Sequence, residues 1–316
     1  MGAGATTGGV HEPASAQPSA AEFGAAPLGM AASIALYLAV VGGSAALGAA
    51  ALRAGFHAGA VAGGAFISLC ALFFCLERWR PWRRSWLSGW SDLRVDLPLI
   101  LLAAPVGFLV VQPAVAFAGR SAQALDSGLW PAHWPLVAQG FLALLLGDFF
   151  RYWFHRAEHV WLPLWRIHAT HHSAERIYFL NGPRLHPLEI ALSGVLQQVP
   201  LVLLGASEEA LALSLALTVA IGRFQHGNLA LTLGPLNYVF SAPAPHRWHH
   251  ARDPRTAACN FGGDVLVWDL LFGTFFLPKD REPSDDVGIP DGAAFPRDIL
   301  GVLASPFSWP RFRTPE

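Results

Sequence analysis

The sequence predicts an all-α, polytopic membrane protein, and three observations carry that prediction. Hydrophobic residues make up 53% of the 316-residue chain and charged residues only 14%. With a mean hydropathy of +0.39, such a chain cannot cover a globular surface with charge, and a bilayer is the better solvent. Charge-free stretches recur at lengths near the roughly 20 residues that a helix needs to cross hydrocarbon. Arginine, finally, is concentrated in one short connection between two of those stretches.

Taken in order, residues 1–28 are rich in Gly, Ala and Pro and hold no Lys or Arg. They lack the basic start of a secretory signal and read as a flexible tail. Phe23–Leu52 and Ala54–Leu76 are the first two spans, the second broken only by His57. Leu97–Gly119 is the third, with kinks expected at Pro98, Pro105 and Pro113 because proline removes a helix donor. Ser127–Gly147 is the fourth, over its part from Trp134. Ile190–Ser207 and Ala210–Gly222 are apolar but short, and are expected to form a helical hairpin that only partly crosses. The chain thus divides into a tail (1–28), a transmembrane part (29–133), a chemistry-bearing part (134–278) and a C-terminal tail (279–316).

Arg78, Arg80, Arg83, Arg84 and Arg94 crowd the connection after the second span. Basic short loops stay cytoplasmic, so loop 120–133 faces the opposite side and everything from residue 148 onward lies at the cytoplasmic face. The membrane expected is a bacterial inner membrane. Trp79, Trp82, Trp86 and Trp90 fit a belt at the headgroups. A net charge of −1 gives no electrostatic footprint for nucleic acid. Cys70, Cys75 and Cys259 are too few and too scattered for a disulfide framework or a cysteine-based zinc site.

Ten of the 13 histidines fall between residues 155 and 250. They form three clusters: His155-x3-His159, His168-x2-His171-His172 and His246-x2-His249-His250, with His186 and His226 standing singly. Residues three and four apart share a helix face, so each cluster is expected to point its imidazoles one way. Eight such nitrogens are enough for two metals with positions left open. Imidazole suits Fe, Zn, Cu and Ni alike. Structural histidines in this number would each need a hydrogen-bond partner and would repel one another when protonated, so a metal centre is the better account.

These residues carry a family resemblance. The segments Asp148–His159, Trp165–Ser173, Arg184–Glu189, His226–Asn228, His246–His250 and Asn260–Thr274 resemble those of the fatty acid hydroxylase / sterol desaturase superfamily, over about residues 134–278. The resemblance implies a non-haem di-iron centre at the cytosolic membrane face that uses O2 to hydroxylate, desaturate or oxidatively demethylate a lipid. It makes the eight clustered histidines ligands and His226 a further one, with His186 as an additional candidate. A purified sample could carry zinc, since divalent affinity alone does not select iron.

Other residues are expected to support the ligands, because metal-bound imidazole usually donates its second N–H to a carboxylate or carbonyl. Asp148 lies two turns before His155 on the same face, Asp269 follows the third cluster, and Asn228 either orients a ligand or caps a helix. Glu189 and Arg184 are expected to pair with each other. Tyr152 and Tyr178 either line the site or anchor the interface. The oxidation needs two external electrons, and the sequence has neither a cytochrome b5-like haem segment nor a convincing Gly-x-Gly-x-x-Gly loop. A separate donor, a ferredoxin or a cytochrome with its reductase, is therefore implied. The competing readings are a carotenoid ring hydroxylase within the enzymes, and a metal transporter or haem electron carrier outside them. Transport would string ligands along mid-span, and haem would use only one or two histidines.

Overall fold

The computed structural model describes residues 24–125, 128–283, 285–289 and 295–308. Among them the secondary structure is helical, with only isolated bridges and no strand. Helices α1 (Met30–Arg53), α2 (Ala58–Trp79) and the continuous run α3–α4 are long and apolar enough to cross a membrane. In that run α3 (Leu93–Val106) passes through a π turn at Gly107–Val111 into α4 (Gln112–Leu125). The π turn falls between Pro105 and Pro113, where the missing donor leaves the helical ladder to be redrawn.

The helix expected as a fourth span is α5 (Leu136–Val160). It is long enough, but Asp148, Arg151, Arg156 and Glu158 crowd its second half, which leaves the apolar half alone to meet lipid. After α6 (Leu162–His172) come α7 (Pro187–Leu203) and α8 (Glu208–Gln225), the pair expected to form a hairpin; each packs on α5 and hardly on the other. Only α7 behaves as a short apolar helix. Helix α8 is the centre of the bundle, packed on α1, α2 and α5, and Leu213, Ala216, Leu217, Ala220, Ile221 and Phe224 are wholly enclosed. Its apolarity reflects protein on most sides rather than lipid. At Gly140 of α5 a Cβ would lie 2.8 Å from the Leu213 side chain, so glycine sets the closeness of the α5–α8 contact.

Short elements follow the long helices and form a cap: α9 (Pro243–His249), α10 (Pro254–Ala257), α11 (Val267–Phe272) and α12 (Ile299–Ala304). Buried carboxylates join the α6–α7 connection and the exit of α8 to the spans. Glu77 of α2 accepts the backbone N–H groups of Phe179 (2.8 Å) and Asn228 (2.9 Å). Asp96 of α3 pairs with Arg184 at 2.7 Å and accepts from the Tyr178 hydroxyl. Arg184 therefore serves Asp96 and not Glu189, and Tyr178 is an internal brace.

Two tryptophans of the expected belt are also internal. Trp82 and Trp86 are buried against each other with centroids 5.1 Å apart, while Trp79 and Trp90 are exposed. Trp82 is held between the guanidinium groups of Arg83 (3.9 Å) and Arg247 (4.0 Å), a cation–π sandwich that competes with lipid anchoring. The expected tails are partly structural. Residues 1–23 lie outside the described residues, but Gly24 and Ala25 donate to the carbonyls of Trp82 and Pro81. Near the other end, Gly288 N–H donates to His250 O at 3.1 Å, which ties this segment to the histidine region.

The orientation leads to a direct expectation. A cysteine placed at Ser121, in a chain freed of Cys70, Cys75 and Cys259, should be labelled by a membrane-impermeant maleimide in intact cells. Labelling only after permeabilisation would reverse the orientation inferred from the arginines. Ser127, in the same loop, lies outside the described residues.

Candidate metal centre

Nine histidines collect into two adjoining groups. His155, His159, His168, His172 and His249 form one, and His171, His226, His246 and His250 the other, with the ligand atoms of each within 4.8 Å of one another. The helices divide their histidines by spacing. Pairs four apart, His155/His159 on α5, His168/His172 on α6 and His246/His250 at α9, share a group. The histidine three residues along turns to the other group, so His171 leaves its helix partners and His249 does likewise. The expectation that each triplet points one way is thus replaced by triplets that straddle the two groups. His172 and His250, one from each group, have centroids 4.3 Å apart.

The nitrogens meet at ligand-like separations. His155 Nε2 is 3.0 Å from His168 Nε2, and His246 Nε2 is 2.8 Å from His226 Nε2 and 2.9 Å from His250 Nε2. Two imidazoles at right angles on a shared ion, with bonds of roughly 2.1 Å, would leave their nitrogens about 3.0 Å apart. A neutral ring has one N–H and one acceptor; a ring whose N–H is committed elsewhere cannot bond in turn to several neighbours. Moreover, His159 Nε2, His172 Nε2, His249 Nε2, His171 Nδ1 and His246 Nδ1 are buried with no hydrogen-bond partner. Such orphaned atoms are costly unless something accepts their lone pairs. The donor set fits a pair of transition-metal ions.

The other ring nitrogen is held by the protein. His155 Nδ1 is 2.7 Å from Phe261 O, His249 Nδ1 is 2.8 Å from Cys259 O, and His226 Nδ1 is 3.0 Å from Asn181 Oδ1. His168 Nδ1 lies 2.9 Å from Glu189, with Glu158 at 3.6 Å. In each case an N–H donated to the acceptor frees Nε2 for metal. Asn181 and Glu189 are support residues that the spacing of the sequence does not announce. Both lie off the clustered segments, and only the fold brings them in.

Electrostatics favour the ligand form. Burial, then the neighbouring charges, hold His155, His159, His171, His172, His246 and His250 well below the ordinary imidazole range. His226 and His249 are pushed down to about 3, mainly by burial. Neutral imidazole is the form that binds a metal.

The expected support residues sit elsewhere than foreseen. Asp148 touches no histidine; its two oxygens accept from Asp264 N (2.8 Å) and Val265 N (3.2 Å). Asp269 accepts from Phe261 N (2.7 Å), Gly262 N (2.8 Å) and the Thr274 hydroxyl (2.6 Å). Both carboxylates therefore brace loop 261–265, whose Phe261 carbonyl holds His155. Asn228 clasps the backbone of Arg83 through both ends of its amide, joining the α2 exit to the cap rather than orienting a ligand. His186 is not brought into either group. Its Nδ1 accepts from Leu188 N as the N-cap of α7, and its Nε2 lies 3.2 Å from Leu303 O. Tyr152 is buried against Phe272 and 2.9 Å from the Thr274 hydroxyl, part of the same brace.

Two cavities reach the histidines. One of about 350 Å³ is lined by His159, Trp165 and His172 with Pro254 and Gly288. The other, of about 250 Å³, runs from Phe66 of α2 and Leu215 and Val219 of α8 to His155, His171, His226 and His246.

Comparison with known proteins agrees with this architecture. The family model described as fatty acid hydroxylase matches residues 140–274. The chain is 35% identical over 250 residues to the ornithine lipid hydroxylase OlsE of Rhizobium tropici, covering 77% of this chain and 74% of that protein. The chain belongs to the fatty acid hydroxylase family. It is also 32% identical over 152 residues to the alkylglycerol monooxygenase of Homo sapiens, covering 48% of this chain but only 33% of that one. A very-long-chain aldehyde decarbonylase of Oryza sativa is 30% identical over 183 residues, 57% of this chain and 64% of that protein. No solved structure gives a significant match. With oxygenases and hydroxylases of lipids as relatives, the chain is placed among lipid-oxidising enzymes. The model match begins in α5 and ends at Thr274, so it takes in both histidine groups and the brace.

Proposed function

We propose that the chain is a membrane di-iron monooxygenase that hydroxylates a polar-headed lipid with O2 and two electrons from a separate redox protein. The convergence of nine histidines on two groups carries this reading. A bound pair of iron ions would supply the activation of O2 that no side chain can provide, since an unactivated C–H bond needs a strong oxidant. The balance is one C–H bond and O2, with two electrons and two protons, giving a C–OH group and water.

The side chains hold and shield. Phe261 O, Cys259 O, Asn181 and Glu189 each keep a proton on the far nitrogen of one ligand ring, so that its Nε2 stays free. Phe261 packs on His155, His159 and His249, and Trp165 on His159 and His172, which limits water at the first group to the side of the cavity that reaches His159 and His172. A dry site suppresses loss of the oxidant to side reactions. The cavity open between α2 and α8 suits a substrate arriving sideways from lipid.

The substrate of the similar Rhizobium protein makes an ornithine lipid the first compound to test. Comparative lipid mass spectrometry of a host with and without the chain should show a lipid that gains one oxygen atom. Loss of two hydrogens in its place would mean desaturation, and an unchanged lipid profile with full metal loading would defeat the proposal.

A further inference from the structure

The cavity of about 250 Å³ is too small for a whole diacyl lipid, and it is not uniformly apolar. Its outer end is Phe66, Leu215 and Val219, with the buried Arg223 guanidinium 4.5 Å from the Phe66 ring; its inner end adds Arg151, Thr218, Gln225 and Asp264 to four histidines of the two groups. Such a gradient orders an amphipathic guest by its polar end. Most inner groups are already committed. Gln225 donates to Ser241 Oγ and Gly263 O, and Thr218 donates to Asp264 Oδ2.

Beyond the histidines, Arg151 and Asp264 Oδ1 are not, and Arg223, at the Phe66 end, donates through Nη1 to Phe179 O but has no partner at Nε. Arg151 is half-buried in the cavity wall, one turn before His155, with no carboxylate at ion-pair distance among the described residues. The Asp148 carboxylate is near, but both its oxygens accept backbone N–H groups. The loop makes room for this cation. At Gly263 a Cβ would lie 2.6 Å from Arg151 Nε, so any larger residue would displace the guanidinium. Asp264 is 3% exposed, and its Oδ1 has no hydrogen-bond partner. A half-buried cation and a buried, half-satisfied carboxylate lining one cavity are costly unless a ligand completes them.

We propose that Arg151 and Asp264 form a headgroup subsite. The guanidinium pairs with an anionic carboxylate or phosphate of the lipid head, and Asp264 accepts from a hydroxyl or ammonium group of the same head. This rests on the lipid-oxidising reading above and deepens it. The subsite, rather than the tail, sets which lipids are taken and which carbon stands before the histidines. Guanidinium is suited to this because its planar fork matches carboxylate and phosphate.

The test compares lipids with identical tails and a free-carboxylate, a phosphate or an uncharged hydroxyl head, using metal-loaded protein in detergent. Arg151→Gln should lower the ratio of anionic-head to neutral-head kcat/KM by about tenfold or more, through KM, with Arg151→Lys restoring part of it. Asp264→Asn should lower the preference for heads bearing an ammonium group. An equal loss for all heads would mean that Arg151 only balances Asp148 and Asp264, and would overturn the subsite, as would no loss at all. Native mass spectrometry of lipid retention by the parent and by Arg151→Gln gives a readout independent of turnover. If the parent oxidises no lipid yet retains anionic heads through Arg151, the oxidase reading fails and the subsite stands. Inorganic phosphate and acetate are the remaining arms. Displacement of bound lipid by either at low concentration would identify a free anion as the ligand and overturn the headgroup assignment.

Discussion

Alanine at His171 or at His249 is expected to abolish lipid oxidation, each through a different metal position. His171 belongs with His226, His246 and His250, and His249 with His155, His159, His168 and His172. Loss of a partner that merely orients a ligand typically costs about 10–100-fold in metal affinity or activity, so loss of a ligand itself should exceed about 100-fold in turnover. The metal content separates the two variants. His171→Ala leaves three histidines in its group and should lose that ion almost wholly, so iron per chain falls by about half. His249→Ala leaves four in a group of five, enough for a tetrahedral set, so its metal loss should be smaller and its turnover loss as large. Elemental analysis beside product formation checks both. Full metal content with normal turnover in either variant would remove that residue from the centre.

The sequence made the bundle and the ligands legible for separate reasons. Apolar length follows from hydrocarbon thickness, so α1, α2 and the α3–α4 run could be located, although α1 starts at Met30 rather than Phe23 and α4 ends at Leu125 rather than Gly119. Hydropathy cannot tell lipid from protein as the apolar neighbour, and α8 was therefore read as half a hairpin although it is the enclosed centre of the bundle. Trp82 and Trp86 misled in the same way, since an aromatic near a span end suits either a headgroup or a guanidinium. The clustered histidines were visible because helix spacing is local. Their division between two groups was not, because it depends on where α5, α6 and α9 meet. Support residues are the least legible class. Asn181 and Glu189 reach the rings across the fold, and no periodicity marks a residue whose partner is remote in sequence. His186 resembles a ligand in type and neighbourhood, yet its ring caps α7, a use of imidazole that spacing cannot distinguish.

Asp269→Asn should have the next largest effect, although its carboxylate touches no histidine. The two oxygens of Asp269 accept three hydrogen bonds, from Phe261 N, Gly262 N and the Thr274 hydroxyl. These hold the peptide whose carbonyl lies 2.7 Å from His155 Nδ1. Asparagine keeps the volume but turns an N–H₂ group toward buried donors. A buried donor left without its acceptor costs about 1–3 kcal/mol, and the loop should relieve that cost by moving. Phe261 O then leaves His155, the ring loses its fixed tautomer, and Phe261 no longer packs the first group against water. We expect turnover and metal retention to fall together by about 10–100-fold, with the helical circular dichroism unchanged. Asp148→Asn loosens the same loop at Asp264 and Val265, farther from the carbonyl that holds His155, and should cost less. Thr274→Val separates the two ends of the brace, because it removes one bond to Asp269 and leaves both backbone N–H groups served. If Asp269→Asn loses thermal stability but keeps parental turnover per bound iron, the brace serves folding alone and His155 is oriented by its own helix.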